Sequence, residues 1–142
     1  VGNGDTSDTL TYDIDGSEDF NATLCWTDTP GLLQSVENDR TPRIVNDLDI
    51  IVTGPGGTFY PFKLDYANPT NHATTGKNWR DNVEQVLIPA GAVAGTYDVM
   101  IDYTGSISNS PQAYALVVDG TIPEPGIALL TAPLALLLFR RR

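Results

Sequence analysis

The stretch Thr96-Tyr97-Asp98-Val99-Met100-Ile101-Asp102-Tyr103 sorts its residues with period two. Tyr97, Val99, Ile101 and Tyr103 fall on one side, and Thr96, Asp98, Met100 and Asp102 on the other. Successive side chains of an extended strand leave opposite faces of the pleat, so this pattern predicts a strand with one face in a core. The same alternation recurs outward in both directions. Leu10, Tyr12 and Ile14 share a face in Thr9 to Asp15, and Phe20, Ala22, Leu24 and Trp26 share one in the run "FNATLCWTD". Further strands are expected at Asp47 to Thr53, at Gly57 to Phe62 after the turn-forming "GPGG", at Val83 to Ile88 and at Gln112 to Asp119.

No helical stripe of useful length interrupts them. About seven short strands punctuated by Gly, Pro, Asn and Asp predict an all-β chain, an antiparallel β-sandwich of the jelly-roll type, over residues 1–121. Two long connections stand out, Thr29 to Pro42 and Lys63 to Asn82, and unstructured loops of that length usually carry function.

The chain of 142 residues holds 18 acidic and 8 basic residues, for a net charge of −10. Three of the basic residues are Arg140, Arg141 and Arg142, which leaves five to balance the acids of the preceding body. Such a body is a poor ligand for nucleic acid, where affinity comes from Lys and Arg displacing counterions. Cys25 is the single cysteine, so no disulfide forms within the chain; its strand-like setting predicts a small core-side residue. His72 is the single histidine and lies in the loop "NPTNHATTG", where it is expected to be exposed. The opening Val-Gly-Asn-Gly, without Met or signal peptide, leads to the expectation of a processed segment or fragment.

Residues 122–125 form a proline-marked linker, and Gly126 to Phe139 is an uncharged run of fourteen residues ahead of the arginines. As a helix this run would extend roughly 21 Å at about 1.5 Å per residue, short of a hydrocarbon core of roughly 30 Å. It has no polar face, so a membrane segment held by the arginines at its cytoplasmic end is the expected reading. Pro123-Glu124-Pro125, an apolar stretch and the cluster Arg140, Arg141 and Arg142 resemble the PEP-CTERM sorting signal of Gram-negative bacteria. The resemblance implies export to the cell envelope, retention in the inner membrane by the hydrophobic helix at 126–142, and cleavage by an exosortase.

In "NDLDIIV", Asp47 and Asp49 project to one side and Leu48, Ile50 and Val52 to the other. Two carboxylates so placed can meet at one cation, and Asp28, at the end of "LCWTD", can approach them from a neighbouring strand. Calcium suits such a set, because it takes six to eight oxygen ligands. Surface ion pairs with Arg40, Arg43 or Arg80 are the plainer alternative.

The motifs "LCWTDTPG", "IVNDLDIIVTGPGGTFYPF", "DNVEQVLIPAGAVAGTYDVMI" and "SPQAYALVVDG" resemble, in order, the C-terminal β-sandwich of secreted subtilisin-like serine proteases. "DLDIIVTGPGGT" is also similar to the domain that follows proprotein convertase catalytic domains. The resemblance implies a jelly roll packed in cis against an upstream protease domain, which it stabilises. It further implies calcium at Asp28, Asp47 and Asp49, with Asn82 and Glu84 as additional ligands.

The chain itself is expected to be non-catalytic. Its only His is His72, and the serines at 7, 17, 35, 106, 108 and 110 have no base assigned to them. The alternative is an independent cell-surface binding module, for carbohydrate, with Trp79, Tyr60, Tyr66 and Phe62 as an aromatic platform. Against it, Trp79 is expected to pack on the sandwich core.

Overall fold

A computed structural model describes residues 1–4 and 7–120. The linker at 122–125 and the segment 126–142, with Pro123, Glu124, Pro125, Arg140, Arg141 and Arg142, lie outside the described residues. Among the described residues there are nine strands and no helix. They are β1 (Asp8–Ile14), β2 (Phe20–Trp26), β3 (Asp47–Gly54), β4 (Gly57–Phe59), β5 (Phe62–Lys63), β6 (Thr74–Thr75), β7 (Val83–Ile88), β8 (Gly95–Thr104) and β9 (Tyr114–Asp119).

All pairings are antiparallel. One sheet runs β1-β8-β3-β4 and the other β7-β2-β9, with β5-β6 as a small separate ribbon. The alternation read from the sequence decides which faces meet. Phe20, Ala22, Leu24 and Trp26 of β2 and Val86 and Ile88 of β7 join Leu48, Ile50 and Val52 of β3 and Tyr97, Val99 and Ile101 of β8 in one buried cluster. Registers agree with this face: Ile50 lies opposite Ile101 and Val52 opposite Val99. Burying a side chain of this size contributes about 1.5–3 kcal/mol, so the shared core holds the two sheets together.

The β3–β4 hairpin turns at Pro55 and Gly56, and Tyr97 explains its glycines. A Cβ at Gly54 would collide with the Tyr97 ring, and one at Gly56 would lie 2.6 Å from its hydroxyl. That hydroxyl accepts from the Gly56 N–H at 3.1 Å and donates to the Val93 carbonyl at 2.7 Å. A buried phenol thereby ties two turns to the core.

Three expectations are corrected. The strand expected from Gly57 to Phe62 breaks at Tyr60 and Pro61, because proline has no N–H for the ladder; the Pro61 carbonyl instead accepts from Gly76 at 2.9 Å and so opens the β5-β6 ribbon. Cys25 is a half-exposed free thiol on the outer face of β2, since Leu24 and Trp26 on either side point inward. Trp79 is 48% exposed and lies outside the core.

Candidate functional site

Asp47 and Asp49 leave β3 on the face opposite Leu48, Ile50 and Val52, as alternation requires, and the three apolar residues are fully buried. The strand is unevenly supported. β8 pairs with it from Asp47 to Thr53, whereas β4 reaches only Val52 to Gly54. Glu84 of β7 supplies what the missing neighbour does not: its Oε2 accepts the Ile50 N–H at 2.9 Å. Glu84 is only 1% exposed, and its Oε1 has no hydrogen-bond partner among the described residues. Burial pushes the carboxyl from 4.5 up to about 8, with repulsion from Asp49 and Asp47 adding and the Ile50 N–H and Lys77 opposing. At neutral pH Glu84 is therefore mostly protonated.

Asp47 is half-buried, with one carboxylate oxygen enclosed and without a partner among the described residues. Burial, then the charge of Asp49, raise it to about 6. Asp49 is buried and better provided: its Oδ2 accepts from Lys77 Nζ at 3.0 Å and from Thr104 Oγ1 at 3.0 Å. The hydrogen bond to Asp49 in turn raises the Lys77 ammonium. Lys77 and Thr104 thus offset the charge of Asp49 at the mouth of the apolar strand.

The other two residues expected at a calcium ion make different bonds. Asp28 accepts three backbone N–H groups, from Thr29 at 2.8 Å, Val45 at 2.6 Å and Asn46 at 2.9 Å. It thereby closes the base of the 27–46 loop. Asn82 donates from Nδ2 to the Trp26 carbonyl at 2.8 Å, extending the β2–β7 pairing by a side chain. Asp28 and Asn82 are thus engaged with backbone groups, while Asp47, Asp49 and Glu84 lie near enough to one another and to Lys77 for their charges to interact. Among the described residues no group of three or more His, Cys, Asp or Glu could hold a metal ion.

A polar node lies beside the Asp28 anchor. Fully buried Asn46 donates to Gln112 Oε1 at 2.7 Å and to the Ser108 carbonyl at 3.1 Å, and accepts from Ser108 N at 2.7 Å. Gln112 donates from Nε2 to the Thr27 carbonyl at 3.1 Å, and its N–H reaches the Val1 carbonyl at 2.9 Å. Val1 and the root of the 27–46 loop are therefore joined through one residue. Farther out on that loop, Leu32 is 82% and Leu33 92% exposed, and Val36 is exposed as well.

The two long loops are clipped together. Arg40 Nη1 donates to the carbonyls of Tyr66 and Ala67 at 2.8 and 3.0 Å, and Arg80 Nη1 donates to the Arg40 carbonyl at 2.6 Å. Asp39 pairs with Arg43 within the first loop. Of the sequence's candidate ion-pair partners for Asp47 and Asp49, none of the three arginines takes that part; Lys77 does so for Asp49. The 63–82 loop encloses a groove of about 300 Å³ lined by Lys63, Tyr66, His72, Lys77, Trp79 and Arg80, among others, and none of its lining residues is serine or cysteine. The sequence singled out Arg80 only as an ion-pair partner and Lys63 not at all; their clustering in one loop of an acidic chain was the available signal. No protein-family model matches the chain, and no curated protein matches it either.

Proposed function

We propose that the chain is a non-catalytic accessory domain of jelly-roll type that packs, in cis, against a subtilisin-like serine endopeptidase domain of an exported polypeptide. The observation that carries this reading is the apolar display on the 27–46 loop. Leu32 and Leu33 each forgo about 1.5–3 kcal/mol of burial while they face water, which a contact with a neighbouring domain would recover. Asp28 fixes the base of that loop through three backbone hydrogen bonds. Gln112 links the same base to Val1, so a domain joined ahead of Val1 would emerge at the base of the loop that carries the leucines. The ordered motif resemblance supplies the kind of neighbour. The Pro-Glu-Pro tail supports export, membrane retention and exosortase cleavage in a Gram-negative envelope.

The coding sequence ahead of Val1 is the direct test. A subtilisin-type domain is expected there, and a leader alone would defeat the reading. In the joined polypeptide, Leu32→Ser with Leu33→Ser is expected to lower the melting temperature of the protease domain by several degrees. An unchanged melting temperature would remove the packing role from these leucines. For the tail, deletion of 126–142 is expected to move the protein from the membrane fraction to the soluble one.

A further inference from the structure

The groove in the 63–82 loop departs from the electrostatics of the rest of the chain. Outside Arg140, Arg141 and Arg142 the sequence has five Lys and Arg residues, and three of them, Lys63, Lys77 and Arg80, line this one groove together with the only histidine. One carboxylate lines it, that of Asp65, and its two oxygens are turned to its own loop. They accept from Ala67 N, Asn68 N, Asn68 Nδ2 and Asn71 Nδ2 at 3.0–3.1 Å. Lys77 is bonded to Asp49, but the Lys63 ammonium makes no hydrogen bond or ion pair with the described residues. Its ammonium rests against Gly76, where a Cβ would approach Nζ to 2.9 Å. A small residue at 76 leaves room for that ammonium at the groove.

The aromatic groups are arranged rather than scattered. The Arg80 guanidinium sits 3.7 Å from the Tyr66 ring centroid and 4.5 Å from that of Trp79, and the two rings meet edge to face at 6.3 Å. These cation–π contacts hold Trp79 in place while it remains 48% exposed. An indole held half-open and an unbonded ammonium line the same groove as His72, Asn71 and Thr74, which puts a flat apolar face, a counter-charge and hydrogen-bonding groups within one small volume.

We propose that this groove is a binding site for a carboxylated saccharide, a uronate unit whose ring stacks on Trp79 while its carboxylate meets Lys63. The alternative anionic ligands fit less well. A peptide adding as a strand needs a ladder edge of several residues, and β5 and β6 have two each. A nucleic acid would lay many phosphates along a chain of net charge −10. A short sugar acid senses mainly the local cations, because charges farther off are screened over roughly 8 Å at physiological salt. The proposal stands apart from the neighbouring-domain reading, since it uses the 63–82 loop and none of the leucines.

The test is calorimetric titration of the 142-residue chain with trimers of glucuronate, galacturonate and mannuronate, and with a neutral glucose trimer. At least one uronate trimer is expected to bind at millimolar affinity or better, and the neutral trimer at least tenfold more weakly. Lys63→Ala is expected to weaken the uronate about tenfold and to erase that preference, while Trp79→Ala weakens both kinds of trimer. The Lys63 side chain is partly exposed and makes no bonds with the described residues, so its variant, which keeps the backbone pairing with Thr74, keeps the fold, as a matching thermal melt would verify. Failure of all three uronates, equal affinity for the neutral trimer, or an affinity untouched by Lys63→Ala would each overturn the proposal.

Discussion

Glu84 replaces a strand with a side chain, and the replacement makes stability depend on pH. Its folded carboxyl titrates near 8 and its unfolded one near 4.5. The folded chain therefore holds a proton that the unfolded chain has released. The stabilisation is complete below about pH 4.5 and is lost as pH rises through about 8. Asp47 acts in the same sense between 3.8 and about 6. The melting temperature is thus expected to fall from pH 5 to pH 9, and Glu84→Gln, which keeps an acceptor for the Ile50 N–H, should flatten the upper part of that profile. A wild-type curve that climbs over this range would contradict the protonated Glu84. Asp28 is the other decisive side chain. Removing an acceptor shared by three backbone N–H groups in Asp28→Ala is expected to cost about 2–4 kcal/mol in urea denaturation, with Asp28→Asn costing less.

At the scale of elements, sheet edges and turns are finished by side chains as often as by strands. Asn82 extends the β2–β7 pairing, and Tyr97 holds the β3–β4 turn. Tyr97→Phe leaves the ring in the core but strips the Gly56 N–H and the Val93 carbonyl of their partner. A loss of about 1–2 kcal/mol is expected by chemical denaturation, with little change in far-UV circular dichroism. These finishing bonds were hard to read from sequence. Period two announces a strand but does not reveal where its neighbour stops, and β4 stops after three residues. Pro61 was visible as a residue unable to donate, yet the ribbon that follows from it needs Gly76, fifteen positions on, to be close in space.

Over the whole molecule, the pairing of β1 with β8 joins residues as far apart as Asp8 and Ile101. Loop closure on that scale precedes any reward from the core, so refolding is expected in milliseconds to seconds by stopped-flow fluorescence of Trp26, rather than in microseconds. Among the described residues no group of three or more His, Cys, Asp or Glu could hold a metal ion, which bears on the whole fold as well. With Lys77 and a proton balancing the acids, melting at pH 6 is expected to be the same in calcium and in chelator. A rise in calcium that Asp47→Asn with Asp49→Asn abolishes would restore the ion to the site.

The sequence by itself determined that the chain is built of strands, which face of each enters the core, and that Asp47 and Asp49 share the opposite face. Period two is a local property, written in consecutive residues. The tertiary structure alone decided the partners of the polar groups: Asp28 with backbone amides, Glu84 with Ile50, Lys77 with Asp49, Arg80 with Tyr66 and Trp79. It also brought Trp79 out of the core and set Lys63 in the same groove. A hydrogen bond or ion pair depends on distances of about 3 Å between segments far apart in the chain, and no local pattern of residue types encodes which segment arrives there.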